Sequence, residues 1–179
     1  MEYLVAFSLL VAVGAWVVSS YLRLIHLYEQ VQGSWRQWTH ATQRRNECLR
    51  DFLSEYAAYV PPGDELTADM RRWELDSGRS LKAFPLAPLA GNFNSITTAE
   101  RHLRRAVSYS VHTLETTSHL SENERLVSLC SAMSVSLYQQ DEQMLLYKRS
   151  AAAYNTALDS PGARIIAGVF GFAPVAVGG

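Results

Sequence analysis

An uncharged, apolar run near the start of the sequence restricts this chain more than any other feature. From Tyr3 to Leu22 the run YLVAFSLLVAVGAWVVSSYL contains no charged residue, no proline and no histidine. An α-helix rises about 1.5 Å per residue, so that about 20 such residues span the ~30 Å hydrocarbon core of a bilayer. A cleaved signal peptide would need a basic n-region and a small-residue cleavage motif, and neither is present. The sequence therefore predicts an uncleaved transmembrane anchor over residues 1–22, which contacts membrane lipid through residues 3–22.

The distribution of arginines predicts the orientation of this anchor. The apolar run is followed by Arg23, Arg36, Arg44 and Arg45, whereas only Glu2 and the terminal amine precede it. Basic residues close to a span favour the cytoplasmic side, and acidic residues count for little. We therefore expect a single-pass membrane protein, with its N-terminus outside and the bulk of the chain in the cytoplasm.

The rest of the chain has the periodicity of long helices. Apolar and small side chains recur at alternating spacings of four and three, which is typical of a helix face kept against partner helices. The segments are 31–59, 66–84, 103–114 and 126–158. Prolines and glycines separate the first three segments, and a Thr116-Thr117-Ser118 cluster separates the last two. No long stretch has the period-2 alternation of a half-buried strand. The sequence predicts an all-α fold, in which a single N-terminal transmembrane helix is followed by an antiparallel bundle of long helices with coiled-coil-like seams over residues 23–160.

Local signals predict where several of these helices begin. In a capping box, a hydroxyl and a carboxylate three residues later satisfy free backbone N–H groups. The candidate pairs are Thr97 with Glu100 and Ser121 with Glu124. Asp64 follows the Pro61-Pro62-Gly63 break, at a position where a helix N-terminus favours negative charge.

Two polar side chains interrupt the apolar seams, Arg45 in the first and Gln140 in the last. They could belong to a buried network that fixes the register of the helices or receives a partner. Alternatively, the seams drift and each side chain extends to water, which is the interpretation that we favour. Cys48 and Cys130 lie within the helical patterns without metal-ligand spacing, and we interpret both as small apolar core residues.

The end of the chain is predicted to be an apolar tail over residues 161–179. From Ile165 onward it reads IIAGVFGFAPVAVGG, without a charge and with Pro174 inside it. This run is short for a transmembrane helix. It could pack over an open end of the bundle, or it could lie in the membrane interface or in a groove of a partner. We favour packing on the bundle.

The sequence contains no recognisable catalytic or metal-binding motif. None of the five histidines forms an i, i+4 pair, and there is neither a phosphate-binding glycine loop nor a nucleophile elbow. A net charge of −1 and the absence of a known nucleic-acid-binding motif argue against nucleic-acid binding. The sequence predicts no enzyme activity, no cofactor and no metal site.

The two ends of the chain resemble the LemA family. Members have an N-terminal membrane helix, followed at once by a long helix with a tryptophan and a basic pair. They also carry two Tyr-Asn pairs seven residues apart and a closing Phe-Gly-Phe. The corresponding residues here are Trp35, Arg44-Arg45, Tyr147-Lys148, Tyr154-Asn155 and Phe170-Gly171-Phe172. The middle of the chain matches poorly, and the resemblance implies a divergent member: a membrane-anchored bundle of long antiparallel helices with its N-terminus outside. It implies no activity and no catalytic residues.

These observations predict a non-enzymatic interaction or scaffold protein with a protein partner. The candidate partner or bundle-closing residues are Arg44, Arg45, Tyr154, Asn155, Phe170 and Phe172. The competing class is an envelope-side sensor or ligand-binding module, in which an aromatic seam lines a pocket between the helices. The residues of that seam are Trp35, Trp38, Tyr56 and Tyr59. A membrane-linked hydrolase is a third and disfavoured class.

Overall fold

A computed structural model describes residues 2–61, 63–89, 93–116 and 122–177 of the chain. These residues form five helices: α1 (Glu2–Tyr56), α2 (Glu65–Ala83), α3 (Asn94–Thr116), α4 (Glu124–Leu158) and α5 (Pro161–Phe170). The described part contains no strand, and its β-type pairing is an isolated antiparallel bridge between Leu89 and Val175. The predicted all-α class is confirmed.

The two longest helices form the axis of the bundle. α1 packs along α4, and α2 packs mainly on α3 while also contacting α1. The rings of Tyr28 and Tyr154 are in contact near one end of the α1–α4 pair, and Glu55 pairs with Arg125 near the other end. Because early residues of α1 meet late residues of α4, the pair is antiparallel.

α1 is a single helix of 55 residues that passes through the predicted boundary between anchor and bundle. Its first part carries exposed apolar side chains from Tyr3 to Leu22, and its second part enters the core at Leu24. Among the described residues, this first part is the segment long and apolar enough to cross a membrane. Its most apolar stretch of 18 residues has a mean hydropathy of 2.0, and none of that stretch is buried.

The core consists of two apolar clusters along the α1–α4 axis. One cluster lies next to the anchor and includes Trp35 and Tyr147. The other lies at the far end and includes Phe52, Leu103 and Met133. The residues of α1 between the clusters, from Thr42 to Asn46, include three buried polar side chains. A polar layer therefore separates the two apolar clusters.

The helix starts agree with the sequence in one case and differ in two. Asp64 caps α2, since its Oδ2 accepts from the backbone N–H of Thr67 at 2.8 Å. The capping box predicted at Thr97 is wrong, because α3 already begins at Asn94 and the Glu100 carboxylate points to α1.

The predicted capping box that opens α4 is also wrong. The N-cap is Asn123, whose Oδ1 accepts from the N–H groups of Arg125 and Leu126 at 3.0 Å each. The predicted box paired Ser121 with Glu124, and Ser121 lies outside the described residues.

The described part of the tail packs on the bundle, as the favoured interpretation predicted. It forms the short helix α5 and then an extended segment in which Val175 and Ala176 are buried. The Ala176 N–H donates to the Pro88 carbonyl oxygen at 2.9 Å, so the tail also contacts the α2–α3 connection.

Candidate functional site

Arg45 is the centre of the polar layer and the only charged side chain buried to this degree in the described structure, with 1% of it exposed. Its guanidinium donates to both carboxylate oxygens of Glu100, with Nη2 3.0 Å from Oε1. It also donates to Gln140 Oε1 at 3.1 Å, to Asn46 Oδ1 at 2.6 Å and to Ser77 Oγ at 3.1 Å. These contacts join α1, α2, α3 and α4 through one side chain.

Glu100 supplies the negative charge of the layer. Besides Arg45, it accepts from Ser77 Oγ at 2.8 Å and from Gln140 Nε2 at 2.7 Å. Burial alone would raise the pKa of the Glu100 carboxyl, but the charge of Arg45 and the hydrogen bonds from Arg45, Gln140 and Ser77 bring the pKa below its ordinary value. Glu100 is therefore ionised at neutral pH, and its lone pairs are occupied.

The favoured interpretation of Arg45 and Gln140, that both extend to water, is wrong. Gln140 is also buried, and its Nε2 donates to Thr42 Oγ1 at 3.0 Å as well as to Glu100. A buried charge is tolerated when an opposite charge and further hydrogen bonds compensate for lost hydration. Glu100, the counter-ion of Arg45, lies 55 residues away in sequence. The periodicity of the helix that carries Arg45 therefore does not reveal the pair.

A cleft of about 250 Å³ opens beside the polar layer, between α3 and α4. Its walls include Trp38, Phe93 and Met144 as apolar surface, and Glu100 and Gln140 as the edge of the layer. The remaining lining residues are Thr97, Arg101, Arg104, Asp141 and Lys148.

The charges that line the cleft do not cancel. Glu100 is paired with Arg45, and Asp141 forms a two-pronged ion pair with Arg104. No hydrogen bond or ion pair joins Arg101 or Lys148 to another described residue. The cleft thus combines an apolar wall with two uncompensated cations, which is the chemistry of a site for a small organic anion.

The described residues include no group of three or more histidine, cysteine, aspartate or glutamate side chains that could hold a metal ion. Neither Cys48 nor Cys130 forms a disulfide. Cys130 is buried in the far apolar cluster, in agreement with its interpretation as a core residue. Cys48 is only half-buried and lines a groove between α1 and α4.

The sequence-predicted interaction residues fall in two separate places. Arg45 lies in the polar layer, and its neighbour Arg44 is exposed beside the α1–α4 groove. Tyr154 and Asn155 lie near the other end of the axis, opposite Tyr28. Tyr28 and Arg44 are 16 residues apart on α1, so at about 1.5 Å per residue the two groups of residues are about 24 Å apart along the helix axis.

The second place joins the tail to α4. Asn155 Oδ1 accepts from the Val175 N–H at 3.0 Å, and its Nδ2 donates to the Val175 carbonyl oxygen at 2.8 Å. The Tyr154 hydroxyl donates to the Ala173 carbonyl oxygen at 3.2 Å, and burial raises the pKa of Tyr154 to about 12. Phe170 and Phe172 both contact the ring of Tyr21 on α1, with centroid distances of 4.6 and 5.9 Å.

Sequence reasoning missed several residues that the structure places in these sites. Tyr147 donates to the Ala176 carbonyl oxygen at 2.6 Å, and burial raises the pKa of its hydroxyl well above the ordinary value. Its position seven residues before Tyr154 on the same face was an available signal. Ser77 and Asn46 also belong to the polar layer. No signal in the sequence indicated them, because a small polar residue in a helical seam can be tolerated there without belonging to a hydrogen-bond network.

Comparison of the chain with family models, with curated proteins and with solved structures gives no match.

Proposed function

We propose that this chain is a single-pass membrane protein whose helical bundle serves as a non-enzymatic interaction or scaffold module on the cytoplasmic face of a bacterial inner membrane. The observation that carries the proposal is the continuity of α1, which runs without interruption from the exposed apolar segment into the core of the bundle. A continuous helix transmits the position and orientation of the membrane span to the bundle. The arginine distribution supports the cytoplasmic placement of the bundle.

The polar layer supports a structural role for the buried charges. Arg45 and Glu100 are engaged by four helices and have no spare donor or acceptor directed at a substrate. Such a layer fixes the register of the helices, because a slip along the axis would leave both charges buried without partners.

The protein contact is proposed on the groove between α1 and α4, which has a volume of about 880 Å³. Small residues form part of its wall, and Val127 and Val135 expose apolar surface along α4. Its charged lining residues are Arg44, Glu47, Asp51 and Glu124. A groove with apolar surface and an excess of carboxylates fits an amphipathic helix that carries basic residues beside its apolar face.

A topology measurement tests the placement of the module. A reporter that is active only in the cytoplasm and one that is active only outside are each fused to the C-terminus of the full chain. Cytoplasmic signal is expected. Signal from outside would refute the use of the arginine distribution and the cytoplasmic proposal with it.

Photo-crosslinking tests the interaction surface. A photoreactive residue at Val135, in the groove, is expected to give a discrete protein adduct in cells. The matched control is Tyr109, which is similarly exposed on α3. Glu47→Lys and Asp51→Lys together should reduce the Val135 adduct by reversing the charge of the groove. Equal adducts at Val135 and Tyr109, or an adduct insensitive to charge reversal, would contradict the proposal.

Membership in the LemA family is part of the proposal. The residues that carry the resemblance make structural contacts here. Trp35 Nε1 donates to the Phe84 carbonyl oxygen at 3.1 Å, Tyr154 holds the tail, and Phe170 and Phe172 contact α1. Residues with such contacts are expected to recur among chains that share this fold.

The cleft beside the polar layer favours a second candidate function, that of a ligand-binding module, which the competing hypothesis places on the envelope side as a sensor or binding module. Its two uncompensated cations and apolar wall suit a small anion with an apolar part. Phenyl phosphate is a suitable probe, with inorganic phosphate and phenol as partial probes, measured by calorimetry on the full chain in a non-ionic detergent.

Substitutions separate binding in the cleft from general attraction of anions. Lys148→Gln should weaken phenyl phosphate binding at least tenfold, and Arg149→Gln, at an exposed position outside the cleft, should not. Absence of saturable binding, or equal effects of the two variants, would remove this candidate.

A further inference from the structure

The short helix α5 presents two chemically similar faces to different surroundings. Ala163 and Ile166 are buried against the bundle, whereas Ile165 and Val169, on an adjoining side, are 68% and 73% exposed. The helix carries one charged residue, Arg164, which is paired at 3.4 Å with Asp159 just before the helix. A water-facing side would be expected to carry more polar residues.

Contacts with α1 place α5 beside the apolar anchor. Gly162, near the start of α5, lies so close to Trp16 that an added Cβ would overlap its indole ring. Phe170, the last residue of α5, contacts the ring of Tyr21 at a centroid distance of 4.6 Å. Both partners on α1 lie inside the apolar run that ends at Leu22.

The depth of these contacts agrees with that of an interfacial helix. Trp16 lies six residues before Leu22, which is about 9 Å along the axis of α1. Tyr21 lies at the end of the run, where aromatic rings favour the headgroup region. Amphipathic helices at a bilayer surface bury their apolar face about 5–10 Å into the boundary between headgroups and acyl chains. α5 covers the same zone beside the anchor.

We infer that α5 is a second membrane contact of this chain, a helix seated in the bilayer interface with Ile165 and Val169 in the lipid. The inference depends on the proposed membrane anchor, because the occupant of the exposed face is the bilayer that surrounds residues 3–22. The exposed apolar surface of α5 is continuous with that of α1, so that one lipid surface covers both. Arg164 lies near Gly162, at the end of α5 that is deeper beside the anchor, and its long side chain extends toward the headgroups while its stem stays in apolar surroundings.

A second contact has a consequence for the bundle. A single helix leaves the bundle free to rotate about the anchor and to tilt with it. Contact at α5 fixes which side of the α1–α4 axis faces the membrane. The extended tail after α5 is joined to α4 by Asn155 and to the α2–α3 connection by Ala176. The orientation is thereby transmitted to the rest of the bundle.

Site-directed spin labelling of the full chain tests this inference in vesicles of phosphatidylcholine and phosphatidylglycerol. Cys48→Ser and Cys130→Ala remove the native thiols, and single cysteines are introduced as Ile165→Cys and Val169→Cys. Val135→Cys is the matched control, since it is an exposed valine on α4 far from the anchor. Far-UV circular dichroism of each variant verifies that the helices are retained.

The measurement is the collision rate of each label with oxygen, which concentrates in lipid, and with a water-soluble nickel chelate. Labels at 165 and 169 are expected to have an oxygen-to-nickel ratio several-fold above that of the label at 135. Ratios equal to that at 135 would overturn the inference.

A label in the anchor distinguishes the two proposals. Val11→Cys lies in the middle of the apolar run. A high oxygen-to-nickel ratio at 11, with ratios at 165 and 169 equal to that at 135, would refute the interfacial helix and leave the anchor in place. A ratio at 11 equal to that at 135 would refute the anchor, and the interfacial helix with it.

Discussion

Replacing Glu100 with glutamine tests the central claim about the polar layer. Glu100→Gln keeps the size of the side chain and one acceptor oxygen, but it removes the negative charge opposite Arg45 and replaces the second acceptor oxygen by an NH2 group. The guanidinium of Arg45 would then remain buried without a counter-ion, because only 1% of its side chain is exposed. The variant therefore removes the charge of the pair with little change in packing volume.

The expected magnitude follows from the burial of the two partners. Removing one member of a buried ion pair costs about 3–5 kcal/mol, since an uncompensated charge is left in a medium that solvates it poorly. The Glu100 side chain keeps 16% exposure, so that water screens the pair slightly. We expect a loss of about 3 kcal/mol in the free energy of unfolding at pH 7, at the lower end of that range.

The pH dependence gives this prediction a second, independent part. The pKa of Glu100 is below its ordinary value of 4.5 in the folded protein. The stabilisation is therefore fully present above pH 4.5 and is lost as the pH falls through the folded pKa. Below that pKa the wild-type carboxyl is protonated and as neutral as glutamine. The stability difference between wild type and Glu100→Gln should shrink in this acidic range.

Urea unfolding of the full chain in non-ionic detergent, followed by far-UV circular dichroism, measures both parts. Asp141→Asn is the matched control, because its pair with Arg104 is also two-pronged but is 51% and 46% exposed on the two side chains. Exposed pairs contribute about 0–1 kcal/mol. A loss below about 1 kcal/mol for Glu100→Gln, or a loss that does not change between pH 7 and the acidic range, would refute a buried and ionised Glu100.

Three further predictions concern the tail and a helix start. Asn155→Ala removes both hydrogen bonds to Val175 and should cost about 2 kcal/mol, with faster hydrogen exchange at the Val175 amide as the measurement and unchanged exchange as the refuting result. Burial raises the pKa of Tyr154 to about 12, so that stability should fall as the pH rises from 10 to 12; absorbance at 295 nm should show late-titrating tyrosines, one fewer in Tyr154→Phe because the buried Tyr147 remains. Asp64→Ala removes the acceptor for the Thr67 N–H and should destabilise the protein by about 1 kcal/mol in thermal unfolding, whereas Asp64→Asn should retain most of the stability because asparagine also caps helices.

Local features of the fold could be predicted because each is encoded in a short stretch of sequence. The apolar run over residues 3–22, the breaks at Pro61 and Pro161 and the cap at Asp64 depend on the hydropathy and backbone preferences of neighbouring residues. The helical class followed from spacing alone. The capping boxes predicted at Thr97 and Ser121 were less informative, because several nearby polar residues compete for the same free N–H groups and tertiary contacts decide among them.

The composition of the sites was decided by the tertiary structure. Arg45 and Gln140 were visible in the sequence as polar positions in apolar seams, yet nothing local showed whether they reached water or a partner. Their environment depends on Glu100, which the path of α2 and α3 brings back across α1. The position of α5 was undetermined for the same reason, since an apolar helix is equally compatible with a core, a partner or a lipid surface. Periodicity and hydropathy determine whether a segment is helical and which of its faces is apolar. The pairing of distant charges and the surroundings of an apolar face, by contrast, exist only once the helices are packed.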